Sequence, residues 1–307
     1  MASVRTLPVK PDIQQQILVC GELRFTAYTM GEGPLVLLIH GFPDSPDSFR
    51  FQLSALAAEG YRAVAVTLRG YEPSSQPKDK SYHVANLARD VIAWVDALDE
   101  TQAHLVAHDW GASIAYAAVA MAPTRFKSLT AIAVPHPAEF ALQAKQDKQQ
   151  LKRSAYIFLF QLRGVAEWWL ARKDWAYIEK LWRTWSPAWQ WESTHMQKVK
   201  KLFSAAGVKQ AALTYYRQAL DTKSALGRES AELYQRPILV PCLGITGEND
   251  GCIGHELFLR AMPAARFPGG VDICKVANAG HFPHLEATSL VNQRLLTFLR
   301  TCEKNFP

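Results

Sequence analysis

No C-x-x-C pair occurs in this chain of 307 residues, and its five cysteines (Cys20, Cys242, Cys252, Cys274 and Cys302) are odd in number and widely spaced. That pattern argues against a disulfide framework. It reads as free thiols in a reducing compartment, so a cytoplasmic location is the expectation. Long apolar runs are missing too: none approaches the ~20 uncharged residues that span a bilayer. Met1–Pro11 lacks the apolar stretch of a secretory signal. Charge is not concentrated. The net value is +6, the pI is near 9.0, and the basic residues are scattered with loose clusters at 145–153 and 198–209. Nucleic-acid binding would call for a denser stripe, so these read as solvated helix faces. Neither nucleic acid nor membrane insertion is expected. His281 and His284 stand three apart, but no third ligand accompanies them, so no metal is expected.

What is present describes a globular chain with a substantial core. Apolar residues make up 49%, and the length suits one large α/β domain carrying an insertion. Continuous apolar runs at Pro34–His40, Tyr61–Leu68, Ala103–His108, Ser128–Val134, Ile238–Thr246 and Asp272–Ala277 look like strands buried on both faces. Between them lie helical patterns at Ser45–Glu59, Asn86–Leu98 and Ala112–Met121, with another at Leu290–Cys302. This alternation predicts a mostly parallel sheet flanked by helices. Ile17–Thr29 suits an antiparallel lead-in hairpin. After Pro137 the alternation stops. Residues 138–235 read as helical and hold seven of the nine tryptophans. We expect a helical cap there, inserted into a core formed by 1–137 and 236–307. Such an insertion would lie over the C-terminal strand ends, where open α/β sheets bind ligands.

The most informative stretch is Ala103–Gly111, AHLVAHDWG. An apolar strand runs into a polar residue, a glycine and a helix of small residues, which is the layout of a nucleophile elbow. Its apex is Asp109, so the attacking group would be a carboxylate. A carboxylate forms an alkyl ester and suits attack at saturated carbon better than acyl transfer. The ester must then be hydrolysed, which needs a general base and a group to orient it. His281, in AGHF after the last strand, is the candidate base. Asp250, in GENDG at the end of the preceding strand, is the candidate orienting acid, with Glu248 the other acid in that turn. The order nucleophile, acid, histidine is that of α/β hydrolases. His40-Gly41-Phe42-Pro43 follows the first buried strand. The Phe42 and Trp110 N–H groups would form an oxyanion hole. Plainer readings exist for each residue. Asp109 could be a helix N-cap, Asp250 a turn residue, and His281 a structural histidine.

With these residues in view, the chain resembles an epoxide hydrolase of the α/β-hydrolase superfamily over roughly residues 13–303. The resemblance is carried by HGFPDS at 40–45, RGYEPSSQP at 69–77, HDWGA at 108–112 and VPHP at 134–137. It continues through YIFLFQ at 156–161, WSPAW at 185–189, YYR at 215–217, GENDGC at 247–252 and GHFPHLE at 280–286. It implies that Tyr156 and Tyr216, both in the cap, receive the epoxide oxygen as it leaves carbon. For these two, the competing readings are an ordinary cap-core aromatic and, at 215–216, the neighbouring Tyr215. The resemblance further implies a hydrophobic epoxide as substrate, a vicinal diol as product and no cofactor. Substrate contacts would come from Phe42, Pro43, Trp110, Phe160, Gln161 and Phe282. His136 would either shape the pocket or simply pack. Family members are often dimers through the cap, which leaves a homodimer open.

The chain departs from the family pattern at Ala107, where glycine is usual, at Glu72, where glycine is common, and at Leu162-Arg163, where proline often precedes the glycine. Two other functions compete. A haloalkane or haloacid dehalogenase also uses an aspartate nucleophile, but neither type explains Tyr156 and Tyr216. A non-catalytic binding protein on this scaffold would not need Asp109, Asp250 and His281 together.

Overall fold

The computed structural model describes residues 12–305. The absent secretory stretch inferred for Met1–Pro11 therefore lies outside the described residues. Eight strands form one sheet: β1 (Gln14–Cys20), β2 (Leu23–Met30), β3 (Leu35–Ile39), β4 (Arg62–Val66), β5 (Ala103–His108), β6 (Phe126–Ile132), β7 (Cys242–Gly247) and β8 (Val271–Val276). Their spatial order is β1-β2-β4-β3-β5-β6-β7-β8. β1 and β2 form the lead-in hairpin, β2 meets β4 antiparallel, and all later pairings are parallel. Every residue of β3 and β5 is buried, as a strand covered on both faces requires.

Helices α1 (Arg50–Ala58), α2 (Val84–Ala97) and α3 (Trp110–Met121) connect the first parallel strands. Between β6 and β7 the chain forms seven helices: α4 (Pro137–Ala144), α5 (Lys148–Arg153), α6 (Tyr156–Gln161), α7 (Val165–Trp185), α8 (Ser193–Ser204), α9 (Val208–Gln218) and α10 (Ala225–Gln235). No strand interrupts them among the described residues. α11 (His255–Arg260), α12 (Pro283–Glu286) and α13 (Thr288–Asn305) complete the chain. One sheet face packs on α2 and α3, the other on α1 and α13.

Where boundaries differ from the sequence pattern, the causes are local. The pattern puts the fourth run at 128–134, but β6 stops at Ile132 because Ala133 turns to a positive φ of 65°. The run from Ile238 yields a strand only from Cys242. Pro241 has no N–H to give a ladder, and Ile238 bonds instead to the Arg266 carbonyl. The Ser45–Glu59 pattern splits into a 3-10 turn over Pro46–Phe49 and then α1. All five cysteines are free. Among the described residues, no helix is long and apolar enough to cross a membrane.

Candidate active site

Asp109 stands between β5 and α3 with φ 52° and ψ −122°. A bulky L-residue adopts that region only under constraint, and here the constraint lifts the carboxylate off the sheet edge. Its side chain makes no helix-capping bond, so the N-cap alternative does not describe it. Two glycines make the elbow possible. A Cβ on Gly111 would collide with the Ile39 and His40 carbonyls, and one on Gly41 would collide with the Asp109 side chain itself.

The two carboxylate oxygens have different surroundings. Asp109 Oδ1 accepts the Phe42 N–H at 2.7 Å. Asp109 Oδ2 faces His281 Nε2 at 3.4 Å. The Trp110 N–H, expected as a second donor, makes no hydrogen bond to Oδ1 here. His40 braces the Phe42 turn: its Nε2 accepts the Leu68 N–H at 3.2 Å and its Nδ1 bonds the Gly41 carbonyl at 3.0 Å. Burial pushes that imidazole down to about 4, so it stays neutral.

His281 is fully buried, and its Nδ1 bonds Asp250 Oδ2 at 2.9 Å. Burial by itself lowers its pKa. The charge of Asp250 and the hydrogen-bonding carboxylates of Asp109 and Asp250 outweigh that and raise it to about 10. The site thus favours the protonated imidazole, which lies between Asp109 and Asp250. Asp250 also serves the turn: its Oδ1 accepts the Cys252 and Ile253 N–H groups at 2.7 and 3.0 Å. The turn reading and the orienting geometry thus coexist in one side chain. Glu248, the other acid, pairs with Lys275 at the surface.

Several bracing residues carried no signal of their own in the sequence. Ser186 Oγ accepts the His281 N–H at 2.8 Å and donates to Glu286 at 2.7 Å. Glu286 in turn accepts the Gly280 and Phe282 N–H groups. The Trp185 carbonyl accepts N–H groups from both His281 and Gly251, so the helical excursion ties the base loop to the acid loop. Buried Gln150 clamps the acid loop from α5, bonding the Cys252 carbonyl and the Gly254 N–H. Trp185, Ser186 and Glu286 sit inside the motifs WSPAW and GHFPHLE, whereas Gln150 lies in no motif and reaches the acid loop only through the fold.

Over the carboxylate lie aromatic rings. Tyr216 stands edge-on to Phe42 at 5.3 Å and to Trp110 at 5.1 Å, and Tyr156 lies 5.8 Å from Tyr216. Phe160 fills the gap among Phe42, Tyr156 and Tyr216. The Tyr216 hydroxyl is buried and unpartnered, while that of Tyr156 has only the Cys252 thiol at 3.8 Å. Burial raises both phenols well above their ordinary value, and the nearby Asp109 charge adds to the effect. Both remain protonated donors. Tyr215 is engaged elsewhere: its hydroxyl donates to the Arg69 carbonyl at 2.7 Å and its ring stacks on Tyr82. Arg217 secures the pair by bonding the Phe160 carbonyl and Glu167.

The remaining expected contacts divide. Phe42, Trp110 and Phe160 lie among these rings. Gln161 bonds the Tyr216 carbonyl at 3.3 Å, and the Pro43 carbonyl accepts the Trp182 indole N–H. Phe282 packs behind His281 against His108, Trp182 and Trp189. His136 is not brought to the site. Its ring packs against Tyr116 and Phe267 and its N–H reaches Met262 sulfur, which is the packing alternative. His281 and His284 do not act as a pair. His284 groups instead with Asp44 and His108, whose ligand-type atoms lie within 4.8 Å of one another. Both of those histidines are held neutral by burial. A cavity of about 550 Å³ lies outside this constellation, between the β1–β2 hairpin and α8. Tyr71 is the wall residue whose phenol still feels the Asp109 charge.

Known proteins share this architecture. A family model described as the alpha/beta hydrolase fold matches residues 34–288. An epoxide hydrolase of Caballeronia sordidicola is 30% identical, over 89% of each chain. Epoxide hydrolase 3 of Xenopus tropicalis is 30% identical over 91% of this chain and 75% of its own. The solved epoxide hydrolase from an endophytic Streptomyces superposes with a TM-score of 0.80 at 25% identity, covering 95% of this chain and 96% of that one.

Proposed function

The chain belongs to the alpha/beta hydrolase fold family, and from that premise we propose that it is an epoxide hydrolase in which the Asp109 carboxylate opens the ring. One observation carries this reading. Asp109 Oδ1 is held by the Phe42 N–H, its Oδ2 is left for attack, and two protonated phenols lie overhead, the Tyr216 hydroxyl without a partner and that of Tyr156 with only the Cys252 thiol.

The mechanism has two halves. Asp109 Oδ2 attacks one ring carbon, and the carbon–oxygen bond on the far side breaks. Tyr156 and Tyr216 donate hydrogen bonds to the oxygen that leaves, because a buried alkoxide without donors would be prohibitive. Esterification neutralises Asp109, so His281 loses one of the two anions that held its proton. That proton balances the one the alkoxide gains. Neutral His281, oriented by Asp250, then takes a proton from water. The hydroxide attacks the ester carbonyl, whose oxygen lies at the Phe42 N–H, and the Asp109 carboxylate and a vicinal diol are released. The resting imidazolium is regenerated and the protons balance.

Residues 138–235 would act as a cap that is catalytic as well as covering. Its aromatic lining fits a hydrophobic aliphatic or aryl epoxide. Five free thiols fit a reducing, cytoplasmic setting. Incubation with a styrene-type epoxide and, separately, a haloalkane tests the reading. Diol without halide release is the expected result; halide release without diol overturns it.

A further inference from the structure

The outer face of α6 and α7 carries apolar side chains that no described residue covers. Phe158 is 70% exposed and Trp168 59%, and Leu162, Val165 and Trp169 are exposed beside them. Phe158 lies on α6, Leu162 in the non-helical break that follows it, and Val165, Trp168 and Trp169 on the first turns of α7. Solvated surfaces rarely leave two adjacent tryptophans open. The Arg172 guanidinium lies over both indoles, 4.6 Å from Trp168 and 4.8 Å from Trp169.

The charge around this face has one sign. The three acids of α7 are all committed to other cations: Glu167 to Arg217, Asp174 to Lys200, and Glu179 to Lys200 and Arg183. Arg172, Lys173 and Lys180 form no ion pair among the described residues. These three line a surface notch of about 270 Å³ whose floor is Trp169 and Tyr177, with no acid among its described lining residues. Such a notch has the shape and charge for a phosphate, with an aromatic wall for the chain beneath it.

We propose that this face docks on an anionic lipid bilayer, the Trp168–Trp169 pair entering the boundary between headgroups and acyl chains while Arg172, Lys173 and Lys180 hold lipid phosphates. Indoles favour that boundary, and each basic residue near an anionic surface strengthens attachment. A second copy of this chain is a poorer occupant. A twofold contact would set the cationic notch against itself, and like charges brought together cost affinity. The attachment is to the surface and crosses nothing, in keeping with the lack of a spanning helix among the described residues.

Flotation of the full-length protein tests this, using vesicles of phosphatidylcholine alone and of phosphatidylcholine mixed with phosphatidylglycerol. The protein should float with the mixed vesicles, should release at high salt, and should stay behind with the neutral ones. The doublet Trp168→Ser/Trp169→Ser and the doublet Lys173→Glu/Lys180→Glu should each cut the bound fraction about tenfold or more. Both doublets lie in α7, and an unchanged melting temperature and diol-forming rate in each separates lost docking from a damaged helix. Brominated acyl chains should quench indole fluorescence in the unaltered protein and not in the tryptophan doublet. No flotation, equal flotation with both vesicles, or retention by either doublet overturns the proposal. So does a dimer that light scattering finds dissociated by the tryptophan doublet.

Discussion

The strand-end half of the site and the helical half are built on opposite rules. At the strand ends the candidate acid and the backbone of the candidate base are fixed by hydrogen bonds. Asp250 accepts three hydrogen bonds, and the His281 backbone is held by Ser186 and Trp185. In the helical half, Tyr156 and Tyr216 are fixed by ring packing, and their hydroxyls are left almost without protein partners. The difference follows from what each half must do. A nucleophile and its base need fixed directions before substrate arrives. A group that receives developing negative charge must keep its hydrogen free until then.

Removing the committed half should do the most damage. Asp109→Ala should lower diol formation on the order of 10⁴-fold or more, since no other carboxylate can reach the ring carbon. His281→Gln should follow, at about 10³-fold or more in turnover, yet the ester should still form. Intact-protein mass after a single turnover should find the substrate's mass added to the Asp109 peptide. An unmodified peptide would sink the two-step scheme. In the open half the effects should be smaller and shared. Tyr156→Phe or Tyr216→Phe alone should cost about 10–10²-fold in the rate of ester formation, because one donor remains, and the pair together more than either. Tyr215→Phe is the control. Its lost bond to Arg69 should appear as about 1 kcal/mol of stability in denaturant melts, with the rate nearly intact.

The pH dependence sharpens the same contrast. The pKa of His281 is raised by folding to about 10, above the ordinary 6.5. The stability it contributes is therefore fully present below about pH 6.5 and is lost as pH rises through about 10. The melting temperature should fall over that window, and His281→Gln should flatten the fall. A modest effect belongs to a brace. Ser186→Ala leaves the His281 N–H and Glu286 without their shared partner. It should cost about 1–2 kcal/mol in stability and slow ester hydrolysis more than ester formation in stopped-flow traces.

Legibility in the sequence followed the range of the interaction. β5 matches its predicted run residue for residue, because a strand buried on both faces is mostly apolar, and its two histidines, His104 and His108, are buried with hydrogen-bond partners. Asp109 was legible because the elbow that lifts it is local: one strand, one turn, one helix. Glu72, a departure from the family pattern, turns out to bond the Thr26 N–H and hydroxyl on a neighbouring strand. That use depends on a contact 46 residues away, which no local pattern records. Gln150, Ser186 and Glu286 escaped notice for the same reason, and His136 was ambiguous because a histidine after a strand can turn either way.

The amino-acid order alone determined the sheet, the helical excursion and the position of Asp109 at the elbow, since each rests on periodicity or on a turn a few residues long. Only the tertiary structure decided which of two adjacent tyrosines faces Asp109. It also decided that His281 sits between two acids that raise its pKa, and that the tryptophans of α7 divide between core and surface. Those outcomes depend on burial and on charges brought together from segments more than a hundred residues apart, and the chain order does not encode them locally.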